Sequence, residues 1–267
     1  MFDAMAHQRS SGFASVHFDR GRLVDLQQVG SAKAMLPRSH GDRPEIVFLN
    51  TSGGLTAGDR LSYHVELGAA QRAVATTQTA ERAYRADGDA ARAQMNLVLG
   101  DGAALDWLPQ ETILFNAAAL DRETRVDLGA DARYLGIETV VLGRQAMGEQ
   151  VTRLHFRDRR RITRAGRLIM LDPFQLNDAS LNRADGLALL AGARAMAVLV
   201  MVAPDAADAL PAIRAALTMP DVTAAASLRE GVLVARCLAP DAWPLRRQMI
   251  RLIQTLRPGA LPRVWQN

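Results

Sequence analysis

Strict alternation of apolar and polar residues, broken at short intervals by glycine, constrains this chain more than any other feature. Leu61, Tyr63, Val65 and Leu67 alternate with Ser62, His64 and Glu66, and Ala91, Ala93, Met95, Leu97 and Leu99 alternate with Arg92, Gln94 and Asn96. Ala14, Val16 and Phe18 follow the same rule, as do Thr124, Val126 and Leu128. A period of two sends successive side chains to opposite faces, which is the pattern of a half-buried β-strand. Gly30, Gly41, Gly68, Gly88, Gly100, Gly102, Gly129 and Gly166 fall between such runs, where turns are needed. Many short strands with no helical pattern between them predict a mainly β, layered body over residues 1–180. A sandwich, a barrel and a β-solenoid all satisfy the alternation, and no fixed repeat period marks a solenoid.

Residues 181–267 read differently, as a smaller α+β part packed on that body without a flexible linker. Asp185 to Ala195 is rich in Ala and Leu and reads as helix, Ala197 to Val202 as a strand, and Asp205 to Leu217 as a helix with Asp205 at its cap. Val232 to Leu238 is another strand. The clearest helix is the last, over Ala242 to Leu256. Asp241 stands at its cap, Pro244 in its first turn, and Leu245, Met249, Leu252, Ile253 and Leu256 line one face before Pro258 and Gly259 end it. Arg246, Arg247, Arg251 and Arg257 lie off that face.

Between the apolar runs Ile46 to Leu49 and Leu61 to Leu67 sits the glycine loop Asn50-Thr51-Ser52-Gly53-Gly54-Leu55-Thr56-Ala57-Gly58-Asp59. Gly53 and Gly58 have the spacing of a phosphate-cradling P-loop, but that motif continues with Lys and then Ser or Thr and opens a helix. Here Asp59 and Arg60 follow, then a strand, so the loop is read as built for backbone shape, with at least one glycine at positive φ. The next segment, Ala73 to Arg85, places Thr76, Thr77, Gln78, Thr79 and Glu81 where a strand normally carries apolar side chains. It reads as a polar lining or as an edge.

Several carboxylates stand among small or apolar neighbours: Asp59, Glu81, Asp106, Glu111, Glu138, Glu149 and Asp172. Glu138 lies within Tyr134 to Leu142, a run that reads as a covered strand, so it must be paired, hydrated or bound to a cation. An ion pair with one of the many arginines is the plainer account. The functional account is a water-filled passage lined by Asp59, Thr77, Gln78, Glu81, Glu138 and Asp172, whose sparse oxygen ligands would let a hydrated divalent cation pass without trapping it. The five histidines are scattered, with no i, i+4 pair and no cysteine partner, so no zinc-type site is expected. His17 and His64 sit on the polar register of their strands and read as solvated surface residues. No G-x-S-x-G elbow is present. An enzyme would have to be a small-molecule hydrolase or transferase using the Asp59 loop and Glu138 as acid and base.

With 267 residues and 49% hydrophobic composition, the chain can bury a substantial core. Its net charge of +4 is carried almost wholly by guanidinium, Lys33 being the only lysine. The run Arg157-Asp158-Arg159-Arg160-Arg161 is the densest charge and reads either as a solvated strand edge or as a contact for an acidic protein surface, with Arg159 and Arg160 as candidates. Arg247 and Arg251 are the corresponding candidates on the last helix. Aromatic residues are few and no nucleic-acid module is apparent, so neither RNA nor DNA is expected as a partner. Cys237, flanked by apolar residues, is the sole cysteine and reads as a buried strand residue. Met1 to Arg9 has no apolar signal core and no run approaches a membrane span, so no membrane is expected as a partner and the expected compartment is the cytoplasm.

Four blocks in order carry a resemblance. N-T-S-G-G-L-T-A-G-D-R-L at Asn50 to Leu61, A-T-T-Q-T-A-E-R-A-Y-R at Ala75 to Arg85, L-D-W-L-P-Q-E-T-I at Leu105 to Ile113, and V-L-G-R-Q-A-M-G-E at Val141 to Glu149 resemble the urease accessory proteins called UreD, or UreH in some bacteria. The blocks fall within about residues 45–175, and the resemblance is less distinctive beyond Asn182. It implies a β-helix-like body and a non-catalytic maturation factor that binds urease apoprotein and UreF, and UreG through UreF. It also implies nickel as transient cargo, with no tightly bound cofactor.

Overall fold

The computed structural model describes residues 9–38, 43–257 and 259–266. The turn expected at Gly41, the helix stop at Pro258, and His7 and His40 lie outside these residues.

The first rung runs from β1 (Ser11–Asp19) through its hairpin partner β2 (Arg22–Gly30) and crosses to β3 (Ala32–Met35) and β4 (Glu45–Asn50). The second comprises β5 (Arg60–Leu67), β6 (Arg72–Thr77) and β7 (Glu81–Ala83), and the third β8 (Ala91–Leu99), β9 (Ala104–Leu108) and β10 (Thr112–Leu114). β11 (Ala118–Leu128) and β12 (Arg133–Leu142) make the fourth, and β13 (Leu154–Arg164) begins a fifth that folds back as β14 (Arg167–Asn177). β1, β5, β8, β11 and β13 pair in parallel as the spine of one sheet, edged by β2 and β14. β4, β6, β9 and β12 pair in parallel as the spine of the other. The chain thus winds between two facing sheets, a β-solenoid.

The alternation explains why the coil holds. Val16, Val65, Leu97, Val126 and Ile162 occupy equivalent positions in successive rungs and are all buried. Each such side chain stabilises the fold by about 1.5 to 3 kcal/mol relative to exposure. No sequence repeat was needed, because only the inward register and the turn positions recur.

After the short helix α1 (Asp178–Leu181), β15 (Ala195–Val202) pairs antiparallel with β12 and continues the second sheet. α2 (Ala206–Ala216), β16 (Thr223–Arg229), β17 (Val232–Ala239) and α3 (Ala242–Leu256) follow. The two strands extend that sheet, while buried residues of α2 and α3 join Val74, Leu108, Leu135 and Ile137 in a second core on its outer side. Asp241 caps α3 by accepting from the Trp243 amide at 2.7 Å. Gln248, wholly buried, accepts from the Met219 amide and donates to the Ala216 carbonyl, tying α3 to the end of α2. None of the described helices is long and apolar enough to cross a membrane.

Three sequence expectations need correction. The expected helix over Asp185 to Ala195 is a series of turns that leads into β15 at Ala195; Ala191 and Gly192 both take positive φ, which an α-helix cannot contain. Asp205 precedes α2 but does not cap it with its side chain, which accepts from Arg133 instead. Arg160, grouped with Arg159 as a surface contact, is turned inward and buried while Arg159 stays exposed.

Candidate functional site

The inward registers of the first sheet change character along the solenoid. Gly12, Leu61 and Ala93 are followed at the same position by Arg122 and Asp158; Ala14, Tyr63 and Met95 are followed by Thr124 and Arg160. The last two rungs therefore place charges where earlier rungs place apolar side chains. Asp158 accepts two hydrogen bonds from Arg122, at 2.9 and 2.7 Å, and another from Arg160. From the facing sheet, β12 contributes Glu138, which accepts from Arg160 Nε at 2.7 Å and from the Thr124 hydroxyl, with Arg122 Nη2 at 3.2 Å. Arg160 also donates to Asp172, which pairs with Arg236 as well. Burial opposes the charges of Arg122 and Arg160, but Asp158 and Glu138 outweigh it and hold both guanidiniums above the ordinary arginine value. Burial likewise raises Asp158, and the two arginines more than reverse it.

Next to this network lies a cavity of about 50 Å³ between the sheets. Thr77, Glu81, Gln110, Thr112, Arg122 and Glu138 give it a polar lining, with Trp107, Tyr63, Met95 and Ala93 among its apolar walls. Arg246 of α3 donates to the Gln110 carbonyl at 2.7 Å, which turns the amide nitrogen away from it. That nitrogen and the Trp107 indole N–H are both buried and have no partner among the described residues. Both residues line the cavity. Burial pushes Glu81 up to about 7, against hydrogen bonds from the Asn50 side chain and the Arg82 amide, so this carboxyl exchanges its proton near neutrality.

The glycine loop packs behind Glu81. Gly53, Gly54 and Gly58 all have positive φ. A Cβ on Gly54 would stand 2.3 Å from the Tyr84 ring and 2.7 Å from the Arg82 carbonyl. Asn50, at the start of the loop, donates to both Glu81 oxygens at 3.2 and 3.3 Å.

On the other side of Glu138 a cleft of about 250 Å³ opens between Phe174, Leu189, Met196 and Arg236. Among residues lining the cavity or the cleft, Glu138 alone lines both.

The other residues singled out from sequence fall elsewhere. Asp59 is buried, but its two oxygens accept from the Ser10 and Thr56 amides, so it staples the loop. Gln78 is exposed, and Asp172 lies beyond Arg160 rather than on the cavity. Asp106 is held by Arg43 and Arg257, and Glu149 by Arg144. Cys237 is buried and its thiol is pushed up to about 12 by burial, which leaves it unreactive. His17 and His64 are half-buried and lie near Glu66. Arg247 and Arg251 are exposed. Trp107, Gln110, Arg122 and Thr112 were not anticipated. Trp107 and Gln110 sit within the third resemblance block, but nothing in the order of residues says that an indole or amide lacks a partner.

Among the described residues no three His, Cys, Asp or Glu side chains are grouped closely enough to hold a metal. Fold and interior together define a β-solenoid with a small, partly polar cavity between its sheets. The family model described as UreD urease accessory protein matches residues 10–266. The chain is 55% identical to the urease accessory protein UreD of Paracoccus denitrificans (strain Pd 1222), covering 100% of this chain and 96% of that one. It is 59% identical to the UreD of Cereibacter sphaeroides (strain ATCC 17029 / ATH 2.4.9), over 97% and 96% of the two chains. The chain belongs to the UreD urease accessory protein family.

Proposed function

We propose that this chain is a non-catalytic urease maturation factor that binds urease apoprotein and UreF, meets UreG through UreF, and lets nickel pass through its interior. The observation that carries the conduit is the cavity between the sheets, which Thr77, Gln110, Thr112 and Glu138 line with polar side chains and where the Glu81 carboxyl titrates near neutrality. With Glu138 held by Arg122, Arg160 and Thr124, Glu81, once ionised, is the carboxylate of the cavity left to meet a hydrated dication. One carboxylate with water binds weakly and releases readily, which transit requires.

From there the path leads past Glu138 into the outer cleft. Glu138 is paired in the state described, so a cation reaching it must displace a guanidinium. Arg160 can give way, because Asp158 and Asp172 already hold it and remain when Glu138 is released. The neighbouring positive charge then favours onward movement over storage. An acid–base enzyme finds no support in this arrangement. Both Asp59 oxygens are occupied by backbone amides, and Glu138 is engaged by a hydroxyl and two guanidiniums.

Glu81→Gln tests the proposal by removing the titratable oxygen while keeping size. With urease and its accessory proteins co-expressed at limiting nickel, the variant should co-purify with its partners but yield several-fold less active urease. Full activation at limiting nickel would remove Glu81 from the path.

A further inference from the structure

The first sheet turns its polar register outward, and on its last strands that face carries a row of arginines. Arg157, Arg159 and Arg161 are exposed at alternate positions of β13, about 6.6 Å apart along the strand. Arg125 of β11 is in register with Arg161, and Arg92 of β8 lies in line with Arg157 across Asp121 of β11. The outward carboxylates of β8, β11 and β13 are Asp121, Glu123 and Asp127. Asp121 meets His155 at 3.0 Å, Glu123 holds Arg125 at 2.8 Å with Arg159 at 3.8 Å, and Asp127 accepts from the Thr163 hydroxyl. Arg92, Arg157 and Arg161 have no hydrogen-bond or ion-pair partner among the described residues.

Neither stability nor the protection of a sheet edge explains this row. Arg125 and Arg161 stand directly opposite each other on strands about 4.8 Å apart, where like charges destabilise a sheet. β13 is an interior strand, paired with β11 on one side and β14 on the other, so its charges guard no edge. The edge strand is β14, and its outward side is apolar. Leu171 pairs with Arg161 and Leu168 with Thr163, at 54% and 46% exposure, and Pro173 pairs with Arg159. A stripe of cations that runs into an apolar margin is the composition of a protein contact, in which arginine and desolvated apolar groups act together. Nucleic acid would engage the cations but not the leucines, and β8, β11, β13 and β14 turn no Phe, Tyr or Trp outward on which a base could stack.

We propose that the outer face of β13 and β14 binds an acidic segment of a protein partner, its carboxylates paired with Arg157 and Arg161 and its apolar side chains laid on Leu168 and Leu171. A carboxylate set over Arg161 also offsets the repulsion from Arg125. The surface is separate from Arg247 and Arg251, because α3 packs on the outer side of the second sheet.

The test uses the full chain and a fluorescein-labelled synthetic peptide of glutamate, leucine and serine, followed by fluorescence anisotropy at physiological salt. No urease component is present, so a negative result strikes this surface and leaves the maturation role standing. Saturable binding is expected, weakened about tenfold when Arg157→Gln and Arg161→Gln are combined, and about threefold in Leu171→Ser. Arg247→Gln with Arg251→Gln, which removes the same charge from α3, should leave the affinity unaltered. The melting temperature of the Arg157→Gln, Arg161→Gln variant should be no lower than that of the unaltered chain, since neither arginine has a partner to lose. Equal binding by that variant and the unaltered chain, equal weakening by the α3 variant, or a single-stranded oligonucleotide of matched charge bound as tightly as the peptide overturns the proposal. A lowered melting temperature overturns it too, by showing that these arginines hold the fold.

Discussion

Glu81 and Glu138 are both carboxylates at the heart of the molecule, and their surroundings assign them different parts. Burial raises Glu81 from 4.5 to about 7, so the folded chain holds a proton that the unfolded chain releases. Stability from this group is fully present below about pH 4.5 and is lost as pH rises through about 7, by roughly 3 kcal/mol over the whole interval. Thermal unfolding should therefore fall in midpoint between about pH 5 and about pH 8 more steeply for the unaltered chain than for Glu81→Gln. Parallel profiles would show that Glu81 is not titrating in this range. Glu138, by contrast, carries a structural load. Glu138→Leu should destabilise the fold by about 3 kcal/mol, at the lower end for a broken buried pair, since Arg122 and Arg160 both keep Asp158. A melting point unchanged from the unaltered chain contradicts the network as described. For the same reason, lost activation in that variant would be hard to separate from lost folding.

At the scale of elements, the inward strands were legible and their stacking was not. Alternation identified β1, β5, β8 and the last part of β11, yet parallel pairing between rungs follows from where the turns deliver each strand, and the turns share no sequence repeat. β16 escaped because Thr223-Ala224-Ala225-Ala226-Ser227 has a single β-branched residue and no aromatic one to mark it as a strand. The charged run in β13 read equally as solvated edge or partner surface. Alternation instead divides it, Arg157, Arg159 and Arg161 facing outward while Asp158 and Arg160 meet partners contributed by β11 and β12. Of the residues after Ala73, Thr77 and Glu81 border the small cavity, whereas Gln78 is exposed. Shape in the glycine loop was foreseeable from three close glycines. Gly54→Val should lower the melting point by several degrees through collision with Tyr84 and the Arg82 carbonyl, and an unaltered melting point would contradict that close approach. On α3, Arg246 and Arg257 are committed to internal contacts, which leaves Arg247 and Arg251 as the outward cations. Reversing both charges should weaken a complex with an acidic partner more at low salt than at high salt, where screening has already removed much of the attraction. Equal pull-down at both ionic strengths removes this face from the interface.

Across the whole molecule, a solenoid interior that begins as stacked aliphatic side chains ends in a neutral, hydrogen-bonded set of charges beside a chamber with unpaired donors. A chain needing only a stable core could have continued its aliphatic ladder through the last rungs, since replacing buried ion pairs by packed apolar residues is often neutral or stabilising. The central claim is that the chamber is a passage, and the most direct test blocks it without disturbing any charge. Ala93 faces the chamber from β8, and Ala93→Leu adds bulk there at about 1 to 3 kcal/mol of overpacking. Urease activity after co-expression with the other accessory proteins, read beside melting temperature and co-purification, is the measurement. The account predicts a folded variant that still joins its complex and yields largely inactive, nickel-poor urease; a folded, bound variant that yields fully active urease would contradict it.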